Sequence, residues 1–178
     1  MSKLGIKRAT SAVDLVTDLE LLSEHERASD TLAKLQRDTR SDDRLNSSAE
    51  VKKAAKAIRA LEEKMSDSTV VVKLRALKRS RWAELEEKHP QREDNEVDKR
   101  FGVNVDTFFD EAIPECVIEV TDKKSGKKVE FDPATEWAPL ADEMSDGQYA
   151  EFIGATLALN RGATSVPFSR VASAVTQG

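Results

Sequence analysis

The sequence predicts a predominantly α-helical α+β fold, in which an N-terminal helical pair precedes a compact helical domain with a small β-hairpin or sheet. Apolar residues recur mostly three or four positions apart, which is typical of one face of an α-helix. The runs 69–74 and 117–121 are instead rich in Val, Ile and Thr and indicate strands. Four of the eight Phe and Trp residues lie between positions 82 and 109, so we expect the core to be centred there.

The composition indicates one main domain with extensions in an intracellular protein. The chain has 178 residues, of which 39% are hydrophobic and 34% are charged, and its formal net charge is −5. Its single cysteine, Cys116, excludes an internal disulfide. The sequence contains neither an apolar run long enough to cross a bilayer nor the apolar region of a signal peptide, so we expect no contact with a membrane.

Residues 1–66 are predicted to be an N-terminal helical extension, made of an arm and two helices. Beyond the arm, residues 1–10, a first helix starts at Ser11 and continues through leucines with helical spacing. A second helix follows a capping box at Ser47–Glu50. Narrow apolar stripes make short helices marginal in isolation, so we expect an antiparallel pair that either packs on the following domain or mediates self-association. The stripes contain Leu15, Leu19, Leu22, Leu32 and Leu35 in the first helix and Val51, Ala54, Ile58, Leu61 and Met65 in the second.

Residues 67–160 are predicted to form a compact α+β domain, whose first half holds the densest group of large apolar side chains. A short helix presents Trp82 on its apolar face and ends at Pro90, because the residue before a proline avoids the α region. A polar run then leads to a second helix, with its cap at Asn104 or Asp106. The side chains expected to be buried in this domain are Trp82, Leu85, Phe108, Phe152 and Leu157.

The second half of this domain is predicted to contain a β-hairpin and two helices. The hairpin turns at Gly126, where glycine supplies the positive φ that such a turn needs. Asp132 followed by Pro133 opens one helix, and the capping box Ser145–Gln148 opens the next. The remaining segment, 161–178, is small and polar, and we expect it to be a flexible C-terminal tail.

No arrangement of residues in the sequence indicates catalysis, a metal site or a cofactor. The two histidines, His25 and His89, lack the spacing of zinc ligands, and no base is placed beside the cysteine. The basic cluster 73–81 is followed at once by acidic residues, which argues against nucleic-acid binding. The acidic run 93–98 lacks the glycine and the spacing of a calcium loop, so we interpret it as a solvated loop.

A set of short segments, taken in order, forms a recognisable pattern over residues 69–173. Trp82 and Leu85 are followed by His89-Pro90, and after a polar spacer by Asn104-Val105-Asp106-Thr107-Phe108. The later segments are 113–117, Trp137 with Leu140, the predicted helix 145–160, and Val166-Pro167-Phe168-Ser169. Together they resemble the tail assembly chaperones of long-tailed, siphovirus-type phages that infect actinobacteria. The chain departs from that family at Gln91, where a second proline is frequent, which affects the geometry of the local loop.

The resemblance implies a non-enzymatic protein that binds the tape measure protein, keeps it soluble and helps the major tail protein assemble around it. It also implies a location in the cytoplasm of the infected bacterial host and absence from the mature virion. A chaperone for an exposed helix needs an apolar groove with a charged rim. The candidate partner-binding residues are Trp82, His89, Pro90, Phe109, Trp137, Val166, Pro167 and Phe168.

Two other functions remain open at this stage. One is a structural tail or head–tail connector protein that is retained in the virion, and the other is a helical adaptor unconnected with phages. An enzyme is the class that the sequence supports least, and we expect no cofactor and no nucleic-acid partner. The composition of purified particles distinguishes a chaperone from a structural component.

Overall fold

The computed structural model describes residues 5–41 and 45–162, except for the side chains of residues 38–41 and 45–48. It confirms the predicted fold class, because the chain is 63% helical, with seven helices and a small four-stranded antiparallel sheet in the part described. The elements in chain order are β1 (Thr10–Val16), α1 (Leu19–Ser41), α2 (Leu45–Asp67), β2 (Thr69–Arg75), α3 (Arg79–Lys88), α4 (Glu96–Phe101), α5 (Val105–Cys116), β3 (Val117–Asp122), β4 (Lys128–Val129), α6 (Pro133–Asp142) and α7 (Asp146–Arg161).

The sheet has the strand order β1-β2-β3-β4, and each neighbouring pair is antiparallel. Val13 of β1 lies beside Val72 of β2, which lies beside Val120 of β3. All three valines are buried, whereas the opposite face carries paired charges such as Lys73 and Glu119. One face of the sheet therefore lines the core and the other is solvated, as is common in antiparallel sheets.

The helix predicted to start at Ser11 is wrong, since this segment forms the edge strand β1. Val13 and Leu15 are buried and the residue before each of them is exposed, which is the two-residue period of a strand. Leu15 lies in β1 and Leu19 is the first residue of α1. Their separation of four residues therefore does not reflect a shared helix. A segment assigned to the N-terminal extension thus lies in the same sheet as the strands of the domain predicted for residues 67–160.

From Leu19 onward the N-terminal helices form an antiparallel hairpin that is inserted between β1 and β2. Nε2 of His25, early in α1, lies 3.6 Å from Oε1 of Glu62, late in α2. Leu35, late in α1, lines the same small cavity as Ala54, early in α2. The helices therefore run in opposite directions, and they pack mainly on each other. The capping box predicted near the start of the second helix is wrong, because α2 begins upstream of it.

The core lies between the inner face of the sheet and the later helices, with α5 at its centre. α5 contacts α3, α4, α6, α7 and β3. The ring of Phe108 packs edge to face on Trp82, with 5.0 Å between ring centroids, and on Phe109, with 5.1 Å. Trp137 of α6 packs in the same manner on Phe152 of α7, at 5.0 Å. Such T-shaped pairs stabilise a core beyond the area that they bury.

Four of the five side chains predicted to be buried are so: Trp82, Leu85, Phe108 and Phe152. Leu157 is only half-buried, because Thr156 beside it takes the inward position on α7.

The starts of α5, α6 and α7 follow the predicted capping residues. Asn104, rather than Asp106, caps α5, because its side chain accepts the Asp106 backbone N–H at 3.1 Å. Asp132 caps α6, and both hydrogen bonds of the Ser145–Gln148 capping box are present at the start of α7. Gly126 has a φ of 66° in the turn before β4, which confirms the predicted hairpin.

Candidate functional site

The main candidate site is a groove of about 640 Å³ between α5 and the start of α6. Its apolar surface comes from Pro114, Pro133 and Ala134, and its polar rim is acidic. An apolar floor with a charged rim is suited to an amphipathic helix, or to a partner side chain with both apolar and polar parts, rather than to a purely polar ligand. We call this feature the acidic groove; it is lined by Thr107, Asp110, Glu111, Pro114, Glu115, Asp132, Pro133 and Ala134.

The sequence of α5 explains why one of its faces is available to form this groove. Thr107, Asp110, Glu111 and Pro114 are spaced by three, one and three residues and therefore share one side of the helix. The opposite side consists of side chains that are fully buried: Phe108, Phe109, Ala112, Ile113 and Cys116. The buried side of α5 thus packs in the core, and its acidic side faces outward.

Cations from α3 neutralise part of the acidic rim. Arg81 donates through Nε to Oε2 of Glu115 at 2.9 Å and through Nη2 to Oε1 of Glu111 at 3.4 Å, and the hydrogen bond to Glu115 raises the pKa of Arg81. Lys88 donates to Oε2 of Glu111 at 2.6 Å. Hydrogen bonds from Lys88 and then from His89 lower the pKa of the Glu111 carboxyl, so Glu111 is ionised at neutral pH.

Tyr149 of α7 reaches the far end of the rim. Its hydroxyl donates to Oδ1 of Asp110 at 2.5 Å. Burial, and then the bond to Asp110, raises the pKa of this phenol, so the hydroxyl remains a donor over the physiological pH range. The rim therefore combines four carboxylates with two directly bound cations, and it keeps a net negative charge.

His89 links the end of α3 to the groove. Nδ1 of His89 lies 2.8 Å from Oγ1 of Thr107, and its Nε2 lies 2.9 Å from Oε2 of Glu111. The ring also packs edge to face on Phe108, at 6.1 Å between centroids. The backbone N–H of Asn104 donates to the carbonyl oxygen of His89 at 2.9 Å. His89-Pro90 and the segment that begins at Asn104, which were matched as separate pieces of sequence, are thus one bonded unit.

The groups Thr107, His89 and Glu111 stand in the order hydroxyl, imidazole and carboxylate. That order is also used to activate a nucleophile. Here the carboxylate is shared with Lys88, and the hydroxyl belongs to the first turn of α5. We interpret the contacts of His89 with Thr107 and Glu111 as a structural link between α3 and α5.

The connection between α3 and α5 is fixed by a buried carboxylate that the sequence did not reveal. Asp98 is fully buried and accepts from Arg92 Nε at 2.6 Å and from the Val105 backbone N–H at 3.2 Å. The bond from Arg92 holds the pKa of Asp98 well below its usual range. The interpretation of residues 93–98 as a solvated loop is therefore wrong for Asp98. Its run of polar neighbours has no apolar period, so the sequence carried no signal of this burial.

The structure separates the predicted partner-binding residues into three groups. Trp82, Phe109 and Trp137 lie in the core, with exposed fractions of 7%, 0% and 2%. These three side chains cannot contact a partner while the core is intact. His89 is largely buried beside the groove, and Pro90 is exposed. The last group, Val166, Pro167 and Phe168, lies outside the described residues.

Three further properties concern metal binding, membrane-spanning helices and the reactivity of Cys116. Residues 5–41 and 45–162 contain no group of three or more His, Cys, Asp or Glu side chains that could hold a metal ion. Over the same residues, no helix has both the length and the apolar character needed to cross a membrane. Burial raises the pKa of the Cys116 thiol to about 11, so this thiol is a poor nucleophile at neutral pH.

No protein-family model, curated protein or solved structure matches the chain. Function is therefore inferred from the residues and contacts of the chain itself.

Proposed function

We propose that this protein is a phage tail assembly chaperone, which binds the tape measure protein, keeps it soluble and promotes tail tube assembly in the cytoplasm of the infected host. The observation that carries the proposal is the bonded unit formed by His89, Asn104, Thr107 and Phe108. These residues belong to two of the segments whose order and spacing together carry the resemblance to tail assembly chaperones. Their contacts give a physical reason for the order and spacing of those segments.

The acidic groove supports a protein-binding role next to this unit. An amphipathic helix could place its apolar side on Pro114, Pro133 and Ala134 and its Lys or Arg residues on the rim carboxylates. The negative rim would speed the encounter with a basic segment and disfavour an acidic one. We therefore propose that the groove takes a basic, amphipathic helical segment of the tape measure protein.

The primary test is co-expression of this protein with its cognate tape measure protein. We expect the soluble yield of the tape measure protein to rise and the two proteins to purify together. If the tape measure protein remains insoluble and no complex is recovered, the chaperone proposal fails.

The role of the groove is tested by the variant Ala134→Arg. Ala134 is exposed and lines the groove, so a long cationic side chain there would fill the apolar floor and repel a basic helix. The matched control is Ala158→Arg, which makes the same change at an exposed position of α7. We expect the first variant to lose the tape measure protein and the control to retain it, with both chains melting close to the wild type. Equal retention by the two variants would place the binding surface elsewhere.

The role of the C-terminal segment is tested by truncation after Arg161. Within α7, Asn160 accepts the Leu77 backbone N–H at 2.8 Å, and Arg161 donates to the Phe101 carbonyl oxygen at 2.6 Å. These bonds keep the end of α7 attached, so we expect the truncated chain to melt almost unchanged. Weaker solubilisation of the tape measure protein would support partner binding by Val166, Pro167 and Phe168. Loss of folding would instead assign the segment a structural role.

Purified particles distinguish the chaperone from a structural tail or connector protein. A chaperone is absent from mature virions, whereas a structural protein is found there in a fixed ratio to the major tail protein. Detection of this chain in virions by mass spectrometry at such a ratio would replace the proposal with the structural alternative.

A further inference from the structure

The α1–α2 hairpin buries few of its own side chains. Each helix has 23 residues and is therefore about 34 Å long. Among the described side chains of the two helices, only Ile58 is buried. The other apolar residues that face the partner helix, such as Leu32 and Leu61, remain half-exposed. Two helices alone cannot shield an apolar seam, and most helical stability comes from the packing of such a face.

The charges of the hairpin are separated along its length. The half nearest the sheet, residues 19–30 and 61–67, has seven Asp and Glu residues against two Lys and Arg residues. In the half towards the tip, the described side chains of residues 31–37 and 49–60 include six Lys and Arg residues against a single Glu residue. We call these the acidic base and the basic tip. One hairpin therefore carries net charges of opposite sign at its two ends.

Both ends offer a recessed surface on the same side of α1. At the base, a cavity of about 370 Å³ is lined by Leu19, Glu20, Ser23, Glu24 and Arg27. At the tip, a cavity of about 340 Å³ is lined by Leu35, Glu50, Lys53, Ala54 and Ala57. Glu24 and Leu35 are eleven residues apart, which is close to three whole helical turns, so they share one side of the helix. The alanines at the tip allow another helix to approach closely.

The charges in these regions are available to a partner. In the described part of the chain, Lys53 and Lys56 have no acidic partner, and Glu20 and Glu24 have no basic one. The hairpin's described ion pairs are His25 with Glu62, and Asp67 with Lys124 near the sheet.

We propose that the hairpin is a self-association surface, on which two copies of the chain pair about a twofold axis with their hairpins antiparallel. In that arrangement the basic tip of each copy lies against the acidic base of the other. The apolar seams are then enclosed in a four-helix arrangement, which is a stable way to bury them. A twofold interface is self-complementary, so each favourable contact occurs twice.

Electrostatics selects the antiparallel arrangement over the parallel one. Parallel hairpins would place basic tip against basic tip and acidic base against acidic base, and like charges across an interface disfavour association. This surface belongs to α1 and α2, whereas the acidic groove belongs to α5 and α6. The two proposals therefore stand or fall separately.

The test uses three charge-reversal variants of the full chain, studied by sedimentation velocity and light scattering. The tip variant is Lys53→Glu with Lys56→Glu, the base variant is Glu20→Lys with Glu24→Lys, and the swapped variant carries all four substitutions. Circular dichroism and thermal melting of each variant check that the hairpin remains folded.

We expect the wild type to be a dimer that weakens as salt is raised, because the attraction is between exposed charges. The tip variant and the base variant should each dimerise at least about tenfold more weakly, since every reversed pair occurs twice at a twofold interface. A mixture of these two variants should form heterodimers, because the acidic tip of one then meets the basic base of the other. The swapped variant should recover the homodimer, since its charges are again complementary.

Three results would overturn the proposal. The first is a full-length wild-type chain that stays monomeric as its concentration is raised. The second is dimerisation of equal strength in the wild type, the tip variant and the base variant while all three are folded. The third is a swapped variant that is folded and monomeric while the wild type is a dimer, because recovery by the swap is unique to antiparallel pairing.

Discussion

Replacement of Phe108 by Ala tests whether the aromatic residues of this chain stabilise the core or serve a partner surface. Phe108 is fully buried and contacts three rings, those of Trp82, Phe109 and His89. Its backbone N–H donates to the carbonyl oxygen of Asn104, and this bond survives the substitution. The variant therefore removes a side chain from the centre of α5 and leaves the start of the helix intact.

The expected loss of stability follows from burial and from the ring contacts. Truncation of a buried Phe to Ala costs about 3–5 kcal/mol of unfolding free energy, depending on how far the surroundings collapse into the cavity. The edge-to-face pairs with Trp82 and Phe109 favour the upper part of this range, because each such pair contributes about 0.5–1.5 kcal/mol beyond its buried area. For a chain of this size, the loss corresponds to a fall in melting temperature of roughly 6–20 °C.

Guanidinium unfolding followed by circular dichroism gives the measurement, with fluorescence as a second probe. The matched control is Phe131→Ala, which removes the same side chain from a half-buried position and should cost clearly less. Phe108→Leu keeps most of the volume and should fall between the wild type and Phe108→Ala. A loss below about 1 kcal/mol for Phe108→Ala, with an unchanged denaturant slope, would refute the placement of Phe108 in the core.

Three further predictions concern charge, backbone conformation and thiol reactivity. Hydrogen bonds from Lys88 and then from His89 lower the pKa of Glu111 below its ordinary value of 4.5. The charge of Glu111 therefore stabilises the fold above that ordinary value, and this contribution disappears as the pH falls through the lowered pKa. Glu111→Gln should therefore be less stable at neutral pH and should lose less stability on acidification; parallel pH–stability curves would contradict this. Gly126→Ala should destabilise the chain by about 1 kcal/mol in thermal melts because its φ is positive, whereas Gly154→Ala, in open space inside α7, should stabilise it by about 0.5–1 kcal/mol. Buried Cys116 should resist alkylation at neutral pH until denaturant is added, and rapid labelling of the native protein would show that the α5–β3 junction opens.

The caps of α5, α6 and α7 were predictable because a cap is a local event. Ser145 and Gln148 bond to each other across three residues, and Asn104 reaches an N–H two residues away. The turn at Gly126 is equally local, since a single glycine supplies its positive φ. These caps and this turn depend only on residues that are close together in the sequence.

Features that depend on distant partners were missed or mistaken. β1 is a strand because its register places Val13 beside Val72 and its inner side chains in the core, and its short alternation was masked by leucines that continue into α1. Asp98 is buried because Arg92 and the start of α5 enclose it, although its neighbours are polar. The acidic groove was also invisible, since α6 completes it with Pro133 and Ala134 from a different part of the chain.

The placement of the aromatic residues changes how a partner surface in this protein should be sought. Trp82, Phe109 and Trp137 were natural candidates, because exposed aromatic residues often dominate binding. All three are enclosed, so alanine substitutions there would reduce binding and stability together and could not separate the two. The two surfaces that we propose for partners, the acidic groove and the hairpin, present mainly carboxylates, lysines, prolines and alanines. Substitutions at such exposed positions change charge and shape while the core stays intact, so a loss of binding there reports on the contact itself.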